Sequence, residues 1–161
     1  MIDPQKKSKV LLIAEDDEDH FLLTKEAFEK CGAGMELRQV RDGEELMDYL
    51  FHRGKYQDPT EGPEPDVILL DLNLPRKDGR EALKEIKSHP WLRYVPVVVL
   101  TTSRAHDDVL RSYDLGANSF LRKPLGFNQW IHLAKAFEQY WFETVELPNH
   151  LSNGNSQSEI R

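Results

Sequence analysis

The sequence predicts an α/β fold built on a five-stranded, doubly wound parallel sheet. Two observations predict it. Apolar runs of strand length alternate five times with helix-length segments of helical periodicity. The first run, residues 10–14, is continuously apolar, as expected of a strand buried on both faces. At 161 residues the chain has room for one such domain and not for a second.

The elements follow in order. After the first strand, residues 18–31 carry Phe21, Leu22, Ala27 and Phe28 at helical spacing, and Gly32 and Gly34 end that helix. Residues 35–40 alternate like a second strand. Asp42 then opens a second helix whose apolar face is Leu46, Tyr49 and Leu50. Residues 54–65 hold Gly54, Pro59, Gly62, Pro63 and Pro65, so they read as a loop, long for a helix-to-strand connection. The third strand is expected at 66–70, ending at Asp71, and the third helix at 79–88, stopped by Pro90. A fourth strand at 95–100 ends at Thr101, and a fourth helix spans 106–115. A short fifth strand at 118–121 precedes a last helix from Gly126 to about Phe142. The domain is expected over residues 1–146, with 147–161 a flexible tail because its end is rich in Ser, Asn, Gln and Gly.

Composition excludes several classes of function. The formal charge of −7, from 28 acids against 21 Lys plus Arg, and the lack of a basic stripe argue against nucleic-acid binding. The apolar run after Lys6-Lys7 is too short for a signal peptide, and no stretch approaches the ~20 apolar residues of a membrane span. A single cysteine, Cys31, allows no internal disulfide. A cytoplasmic location is therefore expected.

Four strand ends carry unusual residues: Glu15-Asp16-Asp17-Glu18-Asp19, Asp71, Thr101-Thr102-Ser103 and Lys123-Pro124. Each alone has an ordinary explanation, as a helix cap, a turn or a β-former. In a parallel sheet they converge on one edge, where ligands bind. Two carboxylates ~4 Å apart there repel by ~4 kcal/mol at an effective dielectric of 20. A hard divalent cation relieves that, and oxygen ligands suit Mg²⁺. A lysine and a hydroxyl opposite can then hold the oxygens of a phosphoryl group.

Taken together, Glu15-Asp16, the strand ending at Asp71, the loop Leu72-Asn73-Leu74-Pro75 with its following Asp78-Gly79, Leu100-Thr101 and Lys123-Pro124 resemble the receiver family of two-component signalling. The spacings agree: 30 residues separate positions 71 and 101, and 22 separate 101 and 123. Within the family, the long loop before the third strand and the ending Tyr140-Trp141-Phe142 are most similar to the stand-alone regulators paired with cyanobacterial phytochromes. The resemblance implies the flavodoxin-like (βα)5 fold and a phosphoacceptor switch, not an enzyme with its own substrate. It implies that Asp71 takes a phosphoryl group from a histidine kinase, a cyanobacterial phytochrome in the narrower reading. It further implies Mg²⁺ held by Asp16, Asp71, the main-chain carbonyl of Asn73 and Glu15. Thr101 and Lys123 would bind phosphoryl oxygens, Phe120 would be the switch aromatic, and the bond before Pro124 would be cis. Phe120 departs from the commoner tyrosine, and the Thr101-Thr102-Ser103 run leaves two other hydroxyls near the switch position.

Two other readings compete. A pseudo-receiver acting only as an interaction module lacks support from the intact acceptor, acidic pair and lysine. A Mg²⁺-dependent phosphatase should carry a second acid two residues after its nucleophile, where this chain has Asn73.

The last helix also predicts a homodimer. Its apolar residues, among them Phe127, Ile131 and Phe142, span roughly 200° when placed at 100° per residue, against the ~100° one sheet face needs. The surplus suits an interface, and the resemblance adds that receivers of this subgroup pair through the face of helix four, strand five and helix five. The alternative is that residues 145–151 fold back over that face.

Overall fold

The computed structural model describes residues 8–32 and 34–148. Five strands, β1 (Val10–Ala14), β2 (Glu36–Val40), β3 (Val67–Leu70), β4 (Val97–Thr101) and β5 (Ser119–Arg122), form one sheet. Its order is β2-β1-β3-β4-β5, and every pairing is parallel. Five helices connect and complete it: α1 (Glu18–Lys30), α2 (Gly43–Leu50), α3 (Gly79–Ser88), α4 (His106–Asp114) and α5 (Phe127–Glu138). The doubly wound parallel sheet expected from the sequence is thus present.

Two apolar layers sandwich the sheet, and strand alternation assigns each side chain to one of them. Leu12, Ile68, Leu70, Val97 and Val99 face α2 and α3, with Leu46, Leu83 and Ile86. Leu11, Ile13, Leu69 and Val98 face α1 and α5, with Phe28, Trp130 and Phe137. Every residue of β1, β3 and β4 is buried, whereas β2 and β5 are mostly half-buried edge strands. On β2, Arg38 is paired with Glu36 at 2.5 Å and donates to the carbonyls of Thr60 and Glu61.

Residues 54–65 are more ordered than their composition suggests. A 3-10 turn, Gly54–Gln57, buries Tyr56, whose ring lies 4.8 Å from that of Tyr49. Tyr49 donates its hydroxyl to the Pro63 carbonyl at 2.7 Å. A segment of turn formers is fixed here because two aromatic rings give it a core of its own.

The fourth strand starts later than expected. Pro96 has no N–H for the ladder, and a 3-10 turn, Leu92–Tyr94, buries Leu92 just before it. The last helix ends at Glu138 and passes into a π-helical turn, Gln139–Thr144, closed by Val145 N donating to the Tyr140 carbonyl. The 100° spacing therefore fails beyond residue 138. Phe127, Ile131 and Phe142 are half-buried against the α1 side of the core. The apolar side chains of this segment facing outward line a groove with β5, formed by Leu121, Leu133, Ala136, Tyr140 and Trp141. Leu147, expected to begin the tail, packs against the same core; residues 149–161 of that tail lie outside the described residues. Among the described residues no helix is long and apolar enough to cross a membrane.

Candidate functional site

The strand order reverses at β1 and β3, which places a crevice at their carboxyl ends. The ladder carries past the last strand residues: Asp71 N donates to the Ala14 carbonyl at 3.0 Å, and Lys123 N to the Thr101 carbonyl at 2.9 Å. Four side chains that are far apart in sequence therefore meet. Glu15, Asp71, Thr101 and Lys123 are all buried, at 4%, 7%, 0% and 6% exposure.

The segment after Asp71 is held by close backbone approach. Asn73 N donates to Asp71 Oδ1 at 3.1 Å, and Gly79 N donates to the Leu72 carbonyl at 2.9 Å. A Cβ at Gly79 would stand 2.3 Å from the Asp71 carbonyl oxygen, and one at Gly43 would stand 1.9 Å from that of Lys77. Both glycines are present because no side chain fits. Asp78 caps α3 by accepting from Arg80 N, and Asp17 caps α1 by accepting from His20 N at 3.1 Å.

Lys123 is the hub. Its ammonium donates to Asp71 Oδ2 at 2.8 Å and makes a short hydrogen bond to Glu15 Oε1. Burial alone would lower the lysine's pKa, but its hydrogen bonds to Asp71 and Glu15 and their charges outweigh this and hold it above the ordinary value. Burial would likewise raise Asp71; the Lys123 hydrogen bond and charge, with the Asn73 N–H, overcome it and keep the carboxyl below its usual range. Glu15 goes the other way. Burial, reinforced by the Asp71 charge, pushes it up to about 7 in spite of Lys123.

Negative charge is concentrated at this crevice. Carboxylate oxygens of Glu15, Asp16 and Asp71 lie within 4.8 Å of one another, and Lys123 pairs with only Glu15 and Asp71 of the three. Three convergent hard oxygens with charge to spare fit a divalent cation. Asn73 is exposed beside them, its main chain tied to Asp71.

Thr101, the last residue of β4, accepts a 3.4 Å hydrogen bond from Ser103 N. Phe120 pairs with Val99 across the ladder and is half-buried against the α2–α3 side of the core. The peptide before Pro124 is trans, contrary to the cis bond that the resemblance led us to expect. Trans is the lower-energy form of an X-Pro bond by ~0.5–1 kcal/mol, and the Lys123 contacts are made without leaving it.

Two features were not anticipated. His20, in the first turn of α1, brings its Nδ1 to 3.0 Å from Lys123 Nζ, a contact across 103 residues that no local pattern signals. Asp108 accepts from Ser103 Oγ at 2.5 Å and from Arg80 at 3.1 Å, tying the segment after Thr101 to α3; both bonds lower the Asp108 pKa.

Residues 11–135 match the response regulator receiver domain. Response regulator Rcp1 of Synechocystis sp. is 43% identical over 148 residues, which cover 92% of this chain and 99% of that protein. The crystal structure of the phosphorylated cyanobacterial phytochrome response regulator RcpA superposes with a TM-score of 0.82 at 43% identity, covering 88% of this chain and 99% of that one. The Mn²⁺-bound form of Rcp1 gives a TM-score of 0.79 at 44% identity, over 87% of this chain and 99% of that one. Sequence, sheet order and the acid–lysine crevice agree, and the chain belongs to the response regulator receiver family of two-component signalling.

Proposed function

We propose that Asp71 is the phosphoacceptor of this receiver and that its donor is a phosphohistidine on a histidine kinase. The supporting observation is the Lys123 ammonium, buried and bonded to Asp71 at 2.8 Å. It keeps the carboxylate ionised, hence nucleophilic, and lies where an added phosphoryl oxygen needs a cation. Asp71 Oδ forms a bond to phosphorus as the P–N bond breaks, and the electron pair leaves on the imidazole nitrogen of the donor. Thr101 donates its hydroxyl to one phosphoryl oxygen and Lys123 pairs with another. Phe120 packs by its ring alone and serves as the switch aromatic. The metal in this reading is Mg²⁺, held by Glu15, Asp16, Asp71 and the Asn73 carbonyl. When bound, it supplies positive charge beside the phosphoryl oxygens and offsets the carboxylate repulsion.

In the same reading the kinase is phytochrome-type, which the likeness to the cyanobacterial phytochrome response regulator RcpA supports. The protein is cytoplasmic, the receiver reaches past residue 146 to include Leu147 with a tail after it, and two copies pair. The apolar β5–α5 groove of about 470 Å³, with Tyr140 half exposed, supports pairing. Light scattering should give about twice the 18.7 kDa chain mass; a monomer at tens of micromolar excludes the pair. Incubation with acetyl phosphate and Mg²⁺ tests the acceptor. An intact mass higher by about 80 Da, lost in Asp71→Asn, is expected. An unmodified wild-type chain would leave the interaction-module reading in its place.

A further inference from the structure

An ammonium has three N–H donors and no acceptor. For Lys123, Glu15 takes one and Asp71 a second, and both partners are anions. The third faces His20 Nδ1 at 3.0 Å. We propose that His20 is the positioning residue for Lys123: its imidazole takes the N–H that the two acids leave over, and so fixes where the lysine aims at an incoming phosphoryl group.

The imidazole is well placed for this. His20 N donates to the Asp17 cap at 3.1 Å, and its carbonyl accepts from Thr24 Oγ1 at 2.8 Å, so its backbone is pinned on both sides. Lys123 is 6% exposed, whereas the His20 side chain is one-third exposed, at the rim of the crevice. The other charged groups near Nδ1 are Glu15 at 3.9 Å and Asp17 at 3.8 Å. An N–H donated to Nδ1 requires that this nitrogen carry no proton, so the proton of a neutral His20 sits on Nε2.

The consequence for transfer is directional. When Asp71 Oδ bonds to phosphorus and the leaving group departs with its electron pair, Lys123 turns one N–H from Asp71 to a phosphoryl oxygen. With two donors still held by Glu15 and His20, that N–H has one direction left. Without the imidazole Glu15 alone anchors the ammonium, Lys123 Nζ can shift about that one bond, and part of its population aims elsewhere. His20 touches neither phosphorus nor Asp71, and acts only through Lys123.

The inference rests on the phosphoacceptor reading above, and its test separates the two. Full-length wild type, His20→Leu and His20→Asn are phosphorylated with saturating acetyl phosphate and Mg²⁺, and the maximal rate constant is read by intact mass. Leucine keeps bulk and removes the acceptor; asparagine restores an acceptor oxygen near the place of Nδ1. The Leu variant should react about tenfold more slowly, the change carried by one hydrogen bond to a charged group. The Asn variant should recover most of the rate, and Mg²⁺ affinity should be the same in all three. Equal rates in wild type and His20→Leu, or equal slowing in both variants, would overturn the positioning role while the acceptor assignment stands. A wild-type chain that takes no phosphoryl group overturns both. Independently of phosphorylation, ¹⁵N imidazole spectra should show His20 protonated on Nε2, and a proton on Nδ1 would refute the contact.

Discussion

Replacing Asp71 by asparagine should leave the fold nearly as stable as before, although it breaks a buried ion pair. The Lys123 contact at 2.8 Å is worth about 6 kcal/mol at an effective dielectric of 20. Against it stands repulsion from Glu15, about 3.5 kcal/mol at the 4.8 Å limit of the carboxylate cluster once Glu15 is ionised, so the balance is measured above pH 7. Asp16 is exposed, so its share is screened to about 1 kcal/mol. Loss of attraction and relief of repulsion thus cancel to within about 2 kcal/mol. Asparagine also keeps an acceptor for Lys123 and removes the cost of burying a charge. Urea denaturation without metal, followed by tryptophan fluorescence, measures the difference. A loss of 3–5 kcal/mol, as for a buried pair with no opposing charge, would refute this balance. Added Mg²⁺ should stabilise wild type more than Asp71→Asn, since the variant has one anionic ligand fewer.

Three further outcomes follow from the same geometry. Asp16→Ala should weaken Mg²⁺ binding and slow phosphorylation at limiting metal, as titration by fluorescence will report; unchanged affinity would remove Asp16 from the ligand set. Gly43→Ala should destabilise by about 1–3 kcal/mol although alanine is the better helix former, because its Cβ overlaps the Lys77 carbonyl. Thermal denaturation reads the sign. Glu15 titrates near 7 when folded and near 4.5 when unfolded, so the folded chain takes up a proton between those values. In EDTA, stability should therefore fall as pH rises from 4.5 to about 7, and Mg²⁺ should flatten that slope; a rise over the window would refute it.

Much of this site was legible in the sequence because a parallel sheet turns separate strand ends into neighbours. The strands β1, β3 and β4 carry uninterrupted apolar runs, since both faces are covered, and the residue after each run falls at the crevice by ladder geometry alone. Glu15, Asp71 and Thr101 stand out that way, and Lys123 by following the shorter edge strand β5. His20 does not, because helical phase, not strand register, brings it to Lys123. The order in residues 54–65 was hidden for a related reason: Tyr49 and Tyr56 belong to different segments, and only their stacking makes a core there. The trans bond at Pro124 and the π turn at Gln139–Thr144 lie on the backbone, where side-chain pattern says little.

The two edges of the sheet differ in what they invite. Unpaired backbone on an edge strand is a template for misassociation when the protein is concentrated or only partly folded. On β2 the alternating Glu36 and Arg38 act as gatekeeper charges, and Arg38 is clamped to the neighbouring carbonyls of Thr60 and Glu61. An added strand would have to break that clamp. On β5, Ser119-Phe120-Leu121 runs uncharged to Arg122, beside the apolar groove of α5. Strand-on-strand aggregation is therefore steered to β5, and a lysine at Ser119 is the substitution most suited to a more soluble form of the protein.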